Sequence, residues 1–193
     1  VTRVPEAPLE DVGSGLAPVG DGWFVVNAVD AAWIEHPHFG RSCVFEASGS
    51  VLRRRGGLEP RTFPQLGINL AVLEPGKPSG LYHREPRQEA FLVLHGRCLL
   101  LVEGEERPLR AWDFVHCPPG TEHVFVGSGD TPCVLLRVGA RFGARGIAYP
   151  RADVAVRHGA AADEETTSPH AAYAAHGHWQ PGRPDGPILP GIQ

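Results

Sequence analysis

Between residues 22 and 142 the apolar positions fall in short runs separated by glycine, proline and charged residues. The runs lie at 23–26 (WFVV), 43–46 (CVFE), 65–74 (QLGINLAVLE), 80–85, 89–94 (EAFLVL), 97–102, 107–110, 113–117, 123–126 and 133–138. Runs this short, bounded by turn signals, predict β-strands. Gly104-Glu105 predicts a hairpin turn, because glycine takes a positive φ at little cost. Pro75-Gly76 ends the third run, and Gly127-Ser128-Gly129-Asp130 links the last two. No helical period interrupts the series, so the pattern predicts an all-β sandwich or barrel.

The ends read differently. Residues 1–21 are rich in proline and glycine and predict an N-terminal arm, with the barrel over 22–142. Residues 143–193 turn polar, then alanine-rich, then proline-rich, and predict a mostly irregular C-terminal extension. Helix is scarce. One turn is expected at 30–33. Ser168 followed by Pro169 makes an N-cap and first-turn pair, so a short helix is expected near 169–176, ending before Gly177.

Composition narrows the class. With 193 residues and 42% apolar content the chain is one domain plus ends, able to bury a core. A net charge of -4 leaves no electrostatic footprint for nucleic acid. The triplet Arg53-Arg54-Arg55 reads as a solvated loop, with a phosphate contact as the sharper alternative. No stretch approaches the ~18 apolar residues of a membrane span, and residues 1–15 lack the apolar core of a signal peptide. The expected location is cytoplasmic. Cys43, Cys98, Cys117 and Cys133 show no C-x-x-C spacing, which predicts free, buried thiols.

The chemistry concentrates in residues 76–96 and 118–123. Strand parity puts His83 and Glu85 on one face, and Glu89 opens the next strand after the Pro86-Arg87-Gln88 turn. The Pro118-Pro119-Gly120 turn delivers His123, which a closing barrel would bring opposite the other three. Imidazoles and carboxylates buried together are costly unless an ion compensates them. Two nitrogen and two oxygen donors suit one divalent Zn, Mn, Fe, Ni or Co. Plainer roles stay open: core histidines satisfied by hydrogen bonds, Glu89 paired with Arg84 or Arg87, and Glu85 accepting from an imidazole N–H. Tyr82, Arg84 and Gln88 flank the set, with Arg84 outward by parity. Phe91, Phe125, and Asn69 or Leu70 are candidates for the inner wall. The pairs His36/His38 and His176/His178 have ligand-like spacing but sit in proline- or glycine-rich loops without converging carboxylates. His116 and Cys117 read as a strand end, and His95 as exposed.

These residues resemble the cupin superfamily, whose first motif runs G-x5-H-x-H-x3-4-E-x6-G and whose second runs G-x5-P-x-G-x2-H-x3-N. The resemblance covers residues 65–140. It implies a double-stranded β-helix, or jelly-roll, barrel with metal ligands at His83, Glu85, Glu89 and His123. Gly76 lies one residue further from His83 than the family spacing, and Glu85 stands where the second histidine is usual. Trp112 stands at the leading glycine of the second motif, and Gly127 at its closing asparagine. Dioxygenases, isomerases and decarboxylases occur among such proteins. The resemblance therefore implies a metalloenzyme acting on a small oxygen-rich substrate, with Glu89 and Glu85 as its catalytic carboxylates. The alternative is a non-catalytic, metal-dependent small-ligand binder. A homodimer is expected.

Overall fold

The computed structural model describes residues 3–47 and 63–183. The arginine triplet and the last ten residues lie outside them. The chain divides into two compact units: one of Val1–His36, Arg41–Phe63 and Trp179–Gln193, the other of Pro37–Gly40 and Pro64–His178.

In the first unit, β1 (Leu9–Asp11) pairs antiparallel with β2 (Leu16–Pro18). The turn is held by Asp11, whose Oδ1 accepts from the Gly13 amide at 2.8 Å. The predicted arm therefore contains a small ladder. β3 (Ala32–His36) takes the place of the helical turn expected at 30–33. Trp33 decides this: its ring is fully buried and its Nε1 donates to the Ala28 carbonyl at 2.9 Å, so an extended segment hides an indole that one isolated helical turn would leave wet. Beside β3 run β4 (Gly40–Val44) and β12 (Gln180–Pro181), in the order β12-β3-β4. The run at 23–26 forms only a bridge at Trp23.

The second unit holds the barrel. β5 (Leu66–Leu73), β11 (Cys133–Ala140), β6 (Glu89–His95) and β9 (Phe114–Cys117) form an antiparallel sheet in the order β5-β11-β6-β9. A second antiparallel sheet is ordered β10-β7-β8, from β10 (His123–Ser128), β7 (Arg97–Val102) and β8 (Glu105–Arg110). Between β7 and β8 the turn residues are Glu103 and Gly104, with φ of 49° and 82°, one position earlier than the sequence suggests. Both being positive marks the mirror-image turn that matches strand twist.

Side chains from both sheets interleave in one apolar cluster: Ala71, Leu73, Phe91, Val93, Cys117, Cys133 and Leu135 from the first, Cys98, Leu100 and Phe125 from the second. Two antiparallel sheets around a shared core make an all-β jelly roll. The outer face of β7 and β10 is covered by an element the sequence did not announce, α1 (Asp153–Arg157), whose Val154 and Ala155 pack on Leu101, Val124, Val126 and Tyr82. Its only sequence signals are Asp153 in the first turn and Arg157 in the last. α2 (Pro169–Ala172) is shorter than expected, but Ser168 caps it as predicted, its Oγ accepting from the Ala171 amide at 3.3 Å. No helix among the described residues is long and apolar enough to cross a membrane. All four cysteines are free and buried, and burial pushes the Cys43 thiol up to about 12.

Candidate metal centre

Along the inner face of the barrel, alternate residues run from apolar to polar. On β6 the order is Val93, Phe91, Glu89; on β10 it is Phe125, then His123. The neighbouring strands carry Asn69 and Arg137 in register with Phe91, and Gly139 in register with Glu89. Arg137 Nε donates to Asn69 Oδ1 at 2.6 Å, and burial pulls the guanidinium down to about 10. A charged group this far inside sits at the polar end, never among the leucines.

His83 joins this end from outside the regular strands. It bridges His123 antiparallel, with the His83 amide donating to the His123 carbonyl at 3.2 Å and the reverse bond at 2.8 Å. The two rings lie 4.9 Å apart. Each imidazole is fixed in the same way: His83 Nδ1 contacts the Leu81 carbonyl at 2.7 Å, and His123 Nδ1 the Thr121 carbonyl at 3.1 Å. A carbonyl only accepts, so both Nδ1 atoms carry the proton and both Nε2 atoms keep a lone pair. Glu89 Oε2 lies 3.5 Å from His123 Nε2.

Burial lowers the pKa of both imidazoles below the ordinary histidine value, and for His83 the neighbouring His123 adds to it. The Glu89–His123 contact is therefore not an ion pair at neutral pH. Burial also raises the Glu89 carboxyl, against an opposing pull from His83.

One donor atom each from His83, Glu89 and His123 lies within 4.8 Å of the others, the one such group among the described residues. Three lone-pair atoms face one another with no donor between them, an arrangement that a cation satisfies. Bond lengths of about 2.0–2.2 Å put neighbouring donors of one ion roughly 3–3.5 Å apart, so small rotations close the set. Pinning of each Nδ1–H is the outer hydrogen bonding that orients metal-binding histidines. The residues fit a divalent transition metal.

Glu85 stands apart from this group. Its Oε2 accepts from Arg87 Nη2 at 2.9 Å, and its carbonyl accepts from the Gly120 amide at 2.7 Å. Parity placed it beside His83 on the assumption of a continuous strand over 80–85. Only His83 and Arg84 form bridges there, Arg84 with Ala148, and the ladder stops before Glu85. Glu85 instead walls a cavity of about 240 Å³ with Arg84, Pro86, Gly120 and residues 146–148, none of the three grouped residues being in its lining.

The other candidates sort by their contacts. Arg84 pairs with Glu122 at 2.7 Å, outward as parity requires. Phe91 and Phe125 belong to the core, their rings 4.6 Å apart. Tyr82 is buried, its hydroxyl accepting from the Gly104 amide at 3.1 Å. His95 is half-buried rather than exposed, and His116 is exposed at a strand end. From the two histidine pairs, His38 and His176 stack at 4.9 Å, and among the described residues no third donor completes a metal group with them.

Two departures from the motif have a backbone explanation. Trp112, at a glycine position, keeps a glycine-like φ of 75° and is 75% exposed. A Cβ on Gly127, at the asparagine position, would lie 2.2 Å from the Glu74 carbonyl oxygen, so nothing larger than glycine fits.

Residues 69–139 match a family model described as a cupin domain. An uncharacterised protein of Methanocaldococcus jannaschii is 26% identical over 90 residues, covering 46% of this chain and 70% of its own. Among solved structures, a candidate sugar phosphate isomerase from Acidithiobacillus ferrooxidans is 30% identical (TM-score 0.42), covering 54% of this chain, which spans 64% of that one. A sugar phosphate isomerase from a cupin superfamily, from Silicibacter pomeroyi, is 29% identical (TM-score 0.46), with 65% and 69% covered.

Proposed function

We propose, for a chain that carries a cupin domain over residues 69–139, that His83, Glu89 and His123 hold one divalent transition metal and that the protein is a metalloenzyme acting on a small oxygen-rich molecule. The observation that carries this reading is the convergence of two Nε2 lone pairs and a carboxylate with no proton donor among them. When bound, such an ion supplies Lewis-acid polarisation of a carbonyl or carboxylate oxygen.

The chain's own residues do the rest. The Leu81 and Thr121 carbonyls hold the two rings in the metal-binding tautomer. Phe91 and Phe125 close the inner end of the site to water, with Phe91 5.2 Å from the His123 ring. Burial raises the Glu89 carboxyl in the metal-free protein, and a glutamate released from the ion can accept a proton from a ligand. Glu85, held by Arg87, is a carboxylate neighbouring the metal and not one of its ligands in this reading.

Metal analysis of protein purified without added metal tests the proposal. About one equivalent of a transition metal in the wild type and near none in His123→Ala is expected. Equal metal content in the two would overturn it. Turnover of a small acid or diketone that disappears in Glu89→Gln separates an enzyme from a passive binder.

A further inference from the structure

One tyrosine from the segment after the barrel lies beside His83, and a second packs against the first. The Tyr149 ring is 6.0 Å from the His83 ring and 5.8 Å from that of Tyr173, edge to face. The Tyr149 backbone is held from both sides. Its amide donates to the Thr166 carbonyl at 2.8 Å, and Ala148 exchanges both bonds with Arg84, the residue next to His83. A side chain on such a support is pre-positioned rather than mobile.

The two hydroxyls differ. That of Tyr173 accepts from the Leu81 amide at 3.0 Å and so ties α2 to the backbone that orients His83. That of Tyr149 has no hydrogen-bond partner among the described residues, although the residue is only 3% exposed. It is not sealed in either: the sealed, unpartnered side-chain atoms among the described residues are Ser14 Oγ and Arg87 Nε. The Tyr149 hydroxyl therefore opens on accessible space. An accessible phenol O–H that no described residue engages can donate to an oxygen of a ligand beside His83.

We propose that the Tyr149 O–H donates a hydrogen bond to an oxygen of the small molecule held at the His83–Glu89–His123 centre, so that Tyr149 is a substrate-binding residue. The inference rests on the metal reading above and extends it by naming the ligand class: a molecule with at least two acceptor oxygens, one for the metal and one for the phenol. Carboxylates with a second oxygen are the simplest members. Tyr173 is the built-in control, because its hydroxyl is already used by the Leu81 amide.

Wild type, Tyr149→Phe and Tyr173→Phe are loaded with Co(II) and titrated with oxalate. Calorimetry and the visible Co(II) absorption are the readouts. A hydrogen bond to a charged acceptor corresponds to at least about a tenfold change in Kd, so Tyr149→Phe is expected to weaken oxalate binding by that factor. Its Co(II) affinity should stay within about threefold of wild type, and Tyr173→Phe should leave the oxalate Kd alone. Equal oxalate affinity in wild type and Tyr149→Phe overturns the proposal. So does equal weakening in both variants, loss of Co(II) or of the folded β signal in Tyr149→Phe, or failure of loaded wild type to take oxalate. Failure of wild type to take Co(II) at all is a separate result: it overturns the metal reading and removes the basis of this one.

Discussion

The two ends of the barrel interior sit on the same strands and have opposite chemistry. On β6, Phe91 and Val93 are buried in the apolar floor while Glu89, two residues earlier, faces two imidazoles. On β10, Phe125 belongs to the floor and His123 to the mouth. One period of strand alternation separates a residue that stabilises the fold from one that costs it stability. The floor supplies folding free energy that offsets the cost of holding three acceptors together at the mouth. A site of this kind is tolerated only where the apolar packing below it is extensive.

Breaking the floor should give the largest effect. Phe125 is 1% exposed and packs on Phe91. Phe125→Ala is expected to cost about 3–5 kcal/mol of unfolding free energy, read from urea denaturation. Metal bound per folded molecule should be nearly unchanged. If the metal is lost while stability is kept, floor and mouth do not divide the work in this way.

Within the mouth the two glutamates sharpen the comparison. Glu89→Gln removes a proposed ligand, so metal affinity should fall by more than the roughly 10–100-fold lost when an outer hydrogen-bond partner is removed. Glu85→Gln should change it by less than about tenfold, since Arg87 holds that carboxylate outside the group. Competition with a chelator measures both. Equal losses would place Glu85 on the metal.

The floor was more legible in the sequence than the mouth. Runs such as 89–94, 97–102 and 133–138 announce β6, β7 and β11 because alternation and turn residues act locally. The grouping of His83, Glu89 and His123 was legible because a turn precedes Glu89 and His123 and the strand periods are regular after each. The parity argument for Glu85 holds only along a continuous ladder, and the ladder ends at Arg84. Tyr149 gave no signal at all. It lies in a segment without strand or helix periodicity, 66 residues after His83, and the bridges Ala148–Arg84 and Tyr149–Thr166 bring it to the site.

Acid should separate the two regions further. Burial puts the His83 and His123 pKa values below the ordinary 6.5 of an unfolded chain. As pH falls below 6.5 the unfolded state takes up protons that the folded state refuses. Metal-free protein then loses stability at up to about 1.4 kcal/mol per pH unit for each ring, levelling off below the folded values. Glu89 acts oppositely: its carboxyl is raised above 4.5, so its contribution is present below 4.5 and is lost as pH rises through the folded value. Urea midpoints of metal-free protein between pH 8 and 5 should therefore decline more steeply in Glu89→Gln than in wild type, and less steeply in His123→Gln. Parallel profiles for all three would mean that these groups do not carry the acid sensitivity.

The smallest effect lies at the floor's far edge. Trp112 holds φ at 75°, and its amide donates to the Val93 carbonyl at 2.7 Å, so the turn before β9 is anchored to a core strand. A bulky L-residue in the left-handed region is strained, and a side chain that is three-quarters exposed recovers little of this by packing. Glycine relieves the strain but frees the unfolded chain, and the two partly cancel. Trp112→Gly is expected to raise stability by about 1 kcal/mol, seen as a higher urea midpoint. Metal content and chelator competition should not move, because the change is confined to the floor. A loss of stability instead would mean that the exposed indole makes a contact worth more than the backbone strain, and that the glycine-like conformation is held in place by the tryptophan itself.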